Sequence, residues 1–432
     1  MNDTVIIGAG VTGLSFACCL KKPHVIIEKE NIPGGLCRSV NINGCTFDYS
    51  GHFLHFHHDE TLKFVNGLLG GKLAKIKRNA CIRAHGAYVP YPFQANLYAL
   101  PEKIRKECLE GFLKKSPVSR LPSSSFYDWS ISTFGKGITK HFMKPYNEKL
   151  WTVSSKVLTA EWVAPFVPQP SIEEVAEGAV SGLNRNFGYN VFFYYPEKGG
   201  IQTLVDSLSS RAGKIITGTC AAKIDIKNRI VETDRKQIFR YDRLVSTQPL
   251  PELLDQIIGL PPEISAARKK LRWNSVNCLN LAFKDEDKDI EISEKHWIYY
   301  PGKKYVFYRS GIYSNILESM TPPGLFSMYI EISSPPGKRV DRRKTLAEVL
   351  AGLVKAGLIN EGAKPEIVEW MPIPFAYVIY DKEYSRYTDM IHGFLKQNGI
   401  YSIGRYGAWK YSFMEESIWE GMKLAEEFNN MS

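Results

Sequence analysis

Residues 3–7 form a short apolar run of the kind a buried strand makes, residues 12–21 read as a helix, and His24 to Glu28 read as a second strand. This order, strand, turn, helix, strand, is the first unit of a doubly wound sheet. Residues 72–97 alternate with a strand-like period and end in Tyr91-Pro92-Phe93, after which a mostly helical pattern starts at Leu100-Pro101-Glu102 and continues to about residue 180. A strand at 190–195, a helix at 200–211 and short strands between Lys214 and Val231 follow. Residues 273–332 are rich in aromatic and β-branched side chains and predict a large sheet. A last strand, Gly399 to Ile403, precedes Gly404 and a helix from about Glu415 to Asn429.

No repeat or low-complexity tract interrupts this order, so the parallel unit at the start is completed by later segments. The expected organisation is α/β. A Rossmann-like dinucleotide-binding domain is assembled from 1–75, 196–250 and 395–432. A mainly helical insertion spans 98–185, and a sheet-rich substrate domain, mixed or antiparallel, is made of 76–97, 186–195 and 251–394. A chain of 432 residues suits two or three such regions.

Composition narrows the function classes. No apolar run reaches the roughly 18 residues of a spanning helix. The first residues carry no basic-then-apolar leader, so a cytoplasmic protein is expected. Cys18, Cys19, Cys37, Cys45, Cys81, Cys108, Cys220 and Cys278 form no paired CxxC pattern, and neither a metal site nor a disulfide framework is expected. The formal charge is +10, yet no block of five Lys or Arg occurs. Nucleic acid is therefore not an expected partner, and an anionic cofactor and substrate account for the balance more simply.

Gly8-Ala9-Gly10-Val11-Thr12-Gly13 fits GxGxxG between the first strand and the first helix. Gly8 permits the tight turn, Gly10 lets backbone approach a pyrophosphate, and Gly13 lets helix and strand pack closely. The helix N-terminus around Val11 and Thr12 then offers free N–H groups to phosphate. Glu28 closes the second strand, where an acid accepts from ribose hydroxyls.

Gly34-Gly35-Leu36-Cys37-Arg38-Ser39 resembles the second glycine motif of the flavin amine oxidase, protoporphyrinogen oxidase and UDP-galactopyranose mutase group. In that group the motif contacts FAD, so the resemblance adds Gly34, Gly35, Leu36 and Arg38 to the cofactor set. Further segments resemble the UDP-galactopyranose mutase family, its eukaryotic type in particular. Phe47-Asp48-Tyr49-Ser50-Gly51-His52 is similar to its histidine loop, with Ser50 where a glycine is usual, and implies flavin contacts from Gly51 and His52. Tyr88 to Asn96 resembles a uridine-binding segment and implies Tyr91, Phe93 and Gln94 as substrate residues, with Arg83 before it. Phe142, Asn147 and Trp151 fall in the helical substrate region, and Asn190 at a substrate asparagine. Trp297-Ile298-Tyr299, Phe307-Tyr308-Arg309 and Tyr377 match further substrate positions. Gly404-Arg405 and Tyr411 resemble the C-terminal flavin and substrate segment.

The implied activity interconverts pyranose and furanose forms of a nucleotide sugar, UDP-galactose above all. It runs through a sugar adduct at N5 of reduced FAD, with His52, Arg309, Tyr377 and Tyr411 at the chemistry and an unidentified electron donor. Aromatic faces with an amide suit a pyrimidine, and Arg309 suits a diphosphate. The chain departs from the family at Phe166, which falls where the first of two diphosphate arginines is usual; Arg185 is the nearest replacement. The alternatives are an FAD-dependent oxidoreductase of the amine oxidase or protoporphyrinogen oxidase type, which needs an apolar cavity instead, and a non-catalytic flavin or nucleotide-sugar binder.

Overall fold

Two sheets of different construction organise the chain in the computed structural model, which describes residues 4–115, 125–164, 166–182, 190–289 and 294–431. The first has five parallel strands, in the order Ile400–Ser402, Arg243–Ser246, Thr4–Ile7, His24–Ile27 and Ile215–Ile216. Thr4–Ile7 is central and buried along its whole length, which is why its sequence is a continuous apolar run rather than an alternation. The helix Val11–Cys19 lies against the C-terminal helix Met414–Asn430, where Phe16 meets Phe428 edge to face at 5.4 Å. Residues some 400 positions apart are thus needed to close one layer.

The second sheet has seven strands, in the order Ile367–Val378, Trp273–Lys284, Leu325–Ser334, Arg309–Ile312, Trp297–Tyr299, Ala80–Ala84 and Ala87–Pro90. All pairs are antiparallel except Trp297–Tyr299 beside Ala80–Ala84. This mixed sheet agrees with the expected fold class. The sequence reading placed no individual element between 333 and 398, yet a helix Arg342–Ala356, the strand Ile367–Val378 and a helix Tyr384–Gln397 lie there. Pro372 and Pro374 hide the strand, because each removes a ladder donor. It survives as the sheet's edge, where such a loss is tolerated.

The helical region contains Glu102–Leu113, Phe126–Ile138, Lys144–Trp151 and Ile172–Val180. Ser125 caps the second of these by accepting from the Asp128 N–H, and Ser171 and Glu174 form a capping box on the last. Gly135 breaks the helix Phe126–Ile138 with φ of 74°, and a π-turn over Thr139–Met143 joins it to Lys144–Trp151. Among the described residues, no helix is long and apolar enough to cross a membrane, and no group of three or more His, Cys, Asp and Glu side chains converges as a metal site would require.

Candidate functional site: a glycine cradle joined to an aromatic cavity

The cradle is made by backbone. Gly8 adopts φ of 99°, a conformation that disfavours any residue with a Cβ, and its N–H reaches the Ile27 carbonyl at 2.8 Å. The chain then enters the helix Val11–Cys19, whose first turn has neither a side-chain cap nor an acidic residue. Its N–H groups and positive dipole end are left to an outside anion. A Cβ at Gly13 would stand 2.1 Å from the Gly8 carbonyl oxygen, so helix and turn touch only because it is absent. At Gly10 a Cβ would meet nothing within 4 Å. The second glycine motif is laid on the first: the Gly34 N–H donates to the Ala9 carbonyl at 2.8 Å, and Gly10 and Gly34 form a parallel bridge.

Glu28 is buried and accepts from the N–H groups of Ala9 at 2.6 Å and Glu30 at 2.9 Å. Its carboxylate therefore fixes the turn and still has lone pairs for a hydroxyl donor. Leu36 packs on the core, and Thr12 is buried at the helix start. Arg38 donates to the Gly35 carbonyl at 2.7 Å and lies over the Tyr49 ring, so much of its donor capacity is spent on the protein. An open helix N-terminus, two apposed glycine turns and an acid at the second strand are what a dinucleotide phosphate and ribose require; the residues present fit such a group.

Gly404 and Arg405 connect the cradle to the cavity. The Gly404 N–H donates to Glu420 at 2.8 Å. Arg405 donates to the carbonyls of Ala376 and Ser412 and places its guanidinium beneath two tyrosines, 5.3 Å from the Tyr377 ring and 5.0 Å from the Tyr411 ring. His52 is influenced by Arg405 and Arg309 together. Burial first, and then these two cations, lower its pKa from 6.5 to about 4, so the ring is neutral at physiological pH. Its buried Nδ1 has no hydrogen-bond partner among the described residues.

Tyr91, Gln94, Phe142, Asn147, Asn190, Trp297, Tyr299, Arg309, Tyr377 and Tyr411 all line one cavity, as does Gly51. Its aromatic wall is continuous: Tyr91 faces Tyr299 at 5.7 Å, and Phe142 stacks on Tyr146 at 5.4 Å. Gln94 is 1% exposed; its amide N–H donates to the Pro168 carbonyl at 2.6 Å, while its Oε1 has no partner among the described residues. That oxygen is a buried acceptor waiting for a donor, a costly state unless a ligand satisfies it.

Arg309 is not a free cation. Its Nε and Nη2 grip the Glu331 carboxylate at 2.5 and 2.6 Å, and Nη2 also donates to the Ser50 hydroxyl at 3.2 Å. Ser50 in turn donates to Glu331. Glu331 sits directly opposite Arg309 in the ladder. Sequence reading missed it because register, not proximity in the chain, makes the pair; its one signal is a lone acid in the apolar strand Leu325–Ser334. Arg78 was missed as well. It donates to the Asn190 side-chain oxygen and lies 4.5 Å from the centre of the Tyr91 ring.

Three expected substrate residues are not in the lining. Phe93 is fully buried behind Phe142, 5.0 Å away, and Trp151 is fully buried behind Tyr377 and Tyr411. Arg83 follows Ile82, which pairs with Tyr299 of the cavity wall; strand alternation sends Arg83 to the opposite face, where it lies over Tyr88. Phe166 does line the cavity, 4.4 Å from the Tyr411 ring, so an aromatic side chain stands where the resemblance places the first of two diphosphate arginines. Arg185 lies outside the described residues.

The sequence profile of the flavin containing amine oxidoreductase family matches residues 11–428. The structure is similar to a reduced UDP-galactopyranose mutase, with a TM-score of 0.94 and 26% identity over 100% of this chain and 96% of that one. It shares its fold with putrescine oxidase (TM-score 0.69, 15% identity, 98% of each chain) and with cyclohexylamine oxidase from Brevibacterium oxydans (TM-score 0.67, 13% identity, 99% of this chain and 98% of that one). A stretch of 61 residues, 13% of this chain, is 39% identical to 59% of an uncharacterized protein in the nifH2 3′ region of Methanothermococcus thermolithotrophicus. The chain thus belongs to the flavin containing amine oxidoreductase family, carries a flavin cofactor, and has the fold of UDP-galactopyranose mutase.

Proposed function

We propose that this flavoprotein is a nucleotide-sugar mutase that interconverts pyranose and furanose rings, with UDP-galactose as the substrate and FAD, in its reduced form, as the cofactor. The reading assigns residues 1–75, 196–250 and 395–432 to FAD, the helical insertion 98–185 and the sheet-rich remainder to substrate. The observation that carries it is the unsatisfied Gln94 oxygen, set among aromatic faces in a cavity that also holds a guanidinium. A uracil ring offers an N–H to that oxygen and a face to Tyr91. A substrate that set only carbon against this position would leave the same oxygen unpaired.

When bound, reduced flavin would supply the nucleophile toward the anomeric carbon. The chain's own groups bind, orient and balance charge. As the anomeric carbon–oxygen bond breaks, negative charge grows on the departing diphosphate. Arg309 faces it with its plane fixed by Glu331; the two N–H groups of Nη1 have no partner among the described residues. Arg78 supplies a second cation beside Asn190. Burial raises the Tyr411 pKa, so its hydroxyl remains a donor rather than an anion. Neutral His52 adds a hydrogen bond without adding charge, and the aromatic wall limits water access to the opened sugar.

The test is anaerobic incubation of the protein with UDP-galactofuranose and related nucleotide sugars, before and after dithionite, with products separated by chromatography. Ring interconversion only after reduction, with no net redox product, is expected. Turnover by the oxidised protein with release of hydrogen peroxide would assign it to the oxidases instead.

A further inference from the structure

A second cavity, of about 690 Å³, lies behind the first, on the other side of the helix Lys144–Trp151. Asn147 and Leu150 of that helix line the aromatic cavity, while Lys144, Glu148 and Lys149 line this one. Five of its eleven lining residues are lysines: Lys136, Lys140, Lys144, Lys149 and Lys303.

The charges there are poorly compensated. Lys140 pairs with Glu107 at 2.7 Å. Lys149 donates to the carbonyls of Tyr300, Gly302 and Phe307 at 2.7–2.9 Å, a set that three ammonium protons satisfy. The one carboxylate in the lining, Glu148, is held by the Ser155 N–H and hydroxyl. Lys136, Lys144 and Lys303 have no acidic partner among the described residues. Lys136, Lys140 and Lys144 recur every four residues from the end of one helix, through the π-turn Thr139–Met143, to the start of the next. A solvated basic face needs no concavity and no buried polar group, but this site has both. Thr139 lines it, is 1% exposed, and its hydroxyl has no hydrogen-bond partner among the described residues.

We propose that this cleft binds a small organic phosphate, with the phosphoryl group on Lys136, Lys144 and Lys303 and a hydrogen bond from Thr139. Lysine is a point-charge phosphate binder. Tyr127, Ile131 and Pro301 give the organic portion an apolar surface. The site is independent of the substrate assigned to the aromatic cavity.

The probe is inorganic pyrophosphate, titrated calorimetrically into the flavin-loaded protein at low ionic strength. Wild type and Glu331→Gln/Arg309→Ala are both expected to show a saturable component assigned to this cleft. Lys136→Gln/Lys144→Gln is expected to lose about tenfold or more in that affinity, with flavin content and melting temperature unchanged. Thr139→Val, which alters no charge, is expected to weaken it several-fold. Loss of all saturable binding in Glu331→Gln/Arg309→Ala, with flavin content and melting temperature retained, would place the anion in the aromatic cavity and overturn the proposal. Unchanged affinity in the lysine double variant, or in Thr139→Val, would overturn it equally.

Discussion

The glycine cradle is built by backbone from residues 4–35, whereas the aromatic cavity gathers side chains from Phe53 to Tyr411. In the cradle, function depends on atoms that are missing: no Cβ at Gly13, no cap on the helix. In the cavity it depends on atoms that are present and costly, such as a paired arginine and an unpaired amide oxygen. A backbone site tolerates few substitutions and fails all at once. A side-chain site loses its properties one at a time, which lets a family keep its cofactor while its substrate changes.

The sharpest break is Gly13→Ala. With the Gly8 oxygen 2.1 Å from the new carbon, strand and helix must separate, and purified protein should carry little or no flavin, as read from its visible absorbance. Arg78→Ala removes a cation that touches Tyr91 and Asn190 of the cavity wall. It should retain flavin and lose about 10- to 100-fold in UDP affinity by calorimetry, the range for a hydrogen bond to a charged group. Phe166→Arg should change the wild type little but restore affinity to Arg78→Ala, because a cation is then missing.

A smaller effect follows from His52. The folded ring titrates near 4 and the unfolded one near 6.5, so the unfolded chain holds more protons between those values. The stability that neutral His52 contributes is complete above pH 6.5 and is lost as pH falls toward 4. Melting temperature should therefore fall less steeply over that window in His52→Gln than in wild type. Comparison of the two is essential, because buried Asp48, raised to about 7, slopes the opposite way. Smallest of all, Arg83→Ala should change UDP affinity by less than about twofold, since its strand face is turned from the cavity.

The difference between the regions also explains what the sequence could say. Gly8 to Gly13, the two flanking strands and Glu28 are contiguous, and their spacing alone points to a dinucleotide turn. Tyr91, Gln94, Asn147, Tyr299 and Arg309 were legible only as separate motifs resembling a family; nothing local says they share a wall. Glu331 and Arg78 were invisible because a cross-strand register and a side chain reaching toward Asn190 place them. Arg83, Phe93 and Trp151 show the converse: each lies in or beside a functional motif, yet strand parity or complete burial keeps it from the lining.

The most direct measurement takes flavin content and UDP affinity from the same preparations of wild type, Glu331→Gln and Glu331→Gln/Arg309→Ala. The Gln background avoids leaving a buried carboxylate unpaired, a change that by itself costs about 3–5 kcal/mol. The account predicts full flavin content in all three and a loss of about tenfold or more in UDP affinity in the double variant alone. Flavin and UDP falling together, or UDP affinity indifferent to Arg309, would contradict it.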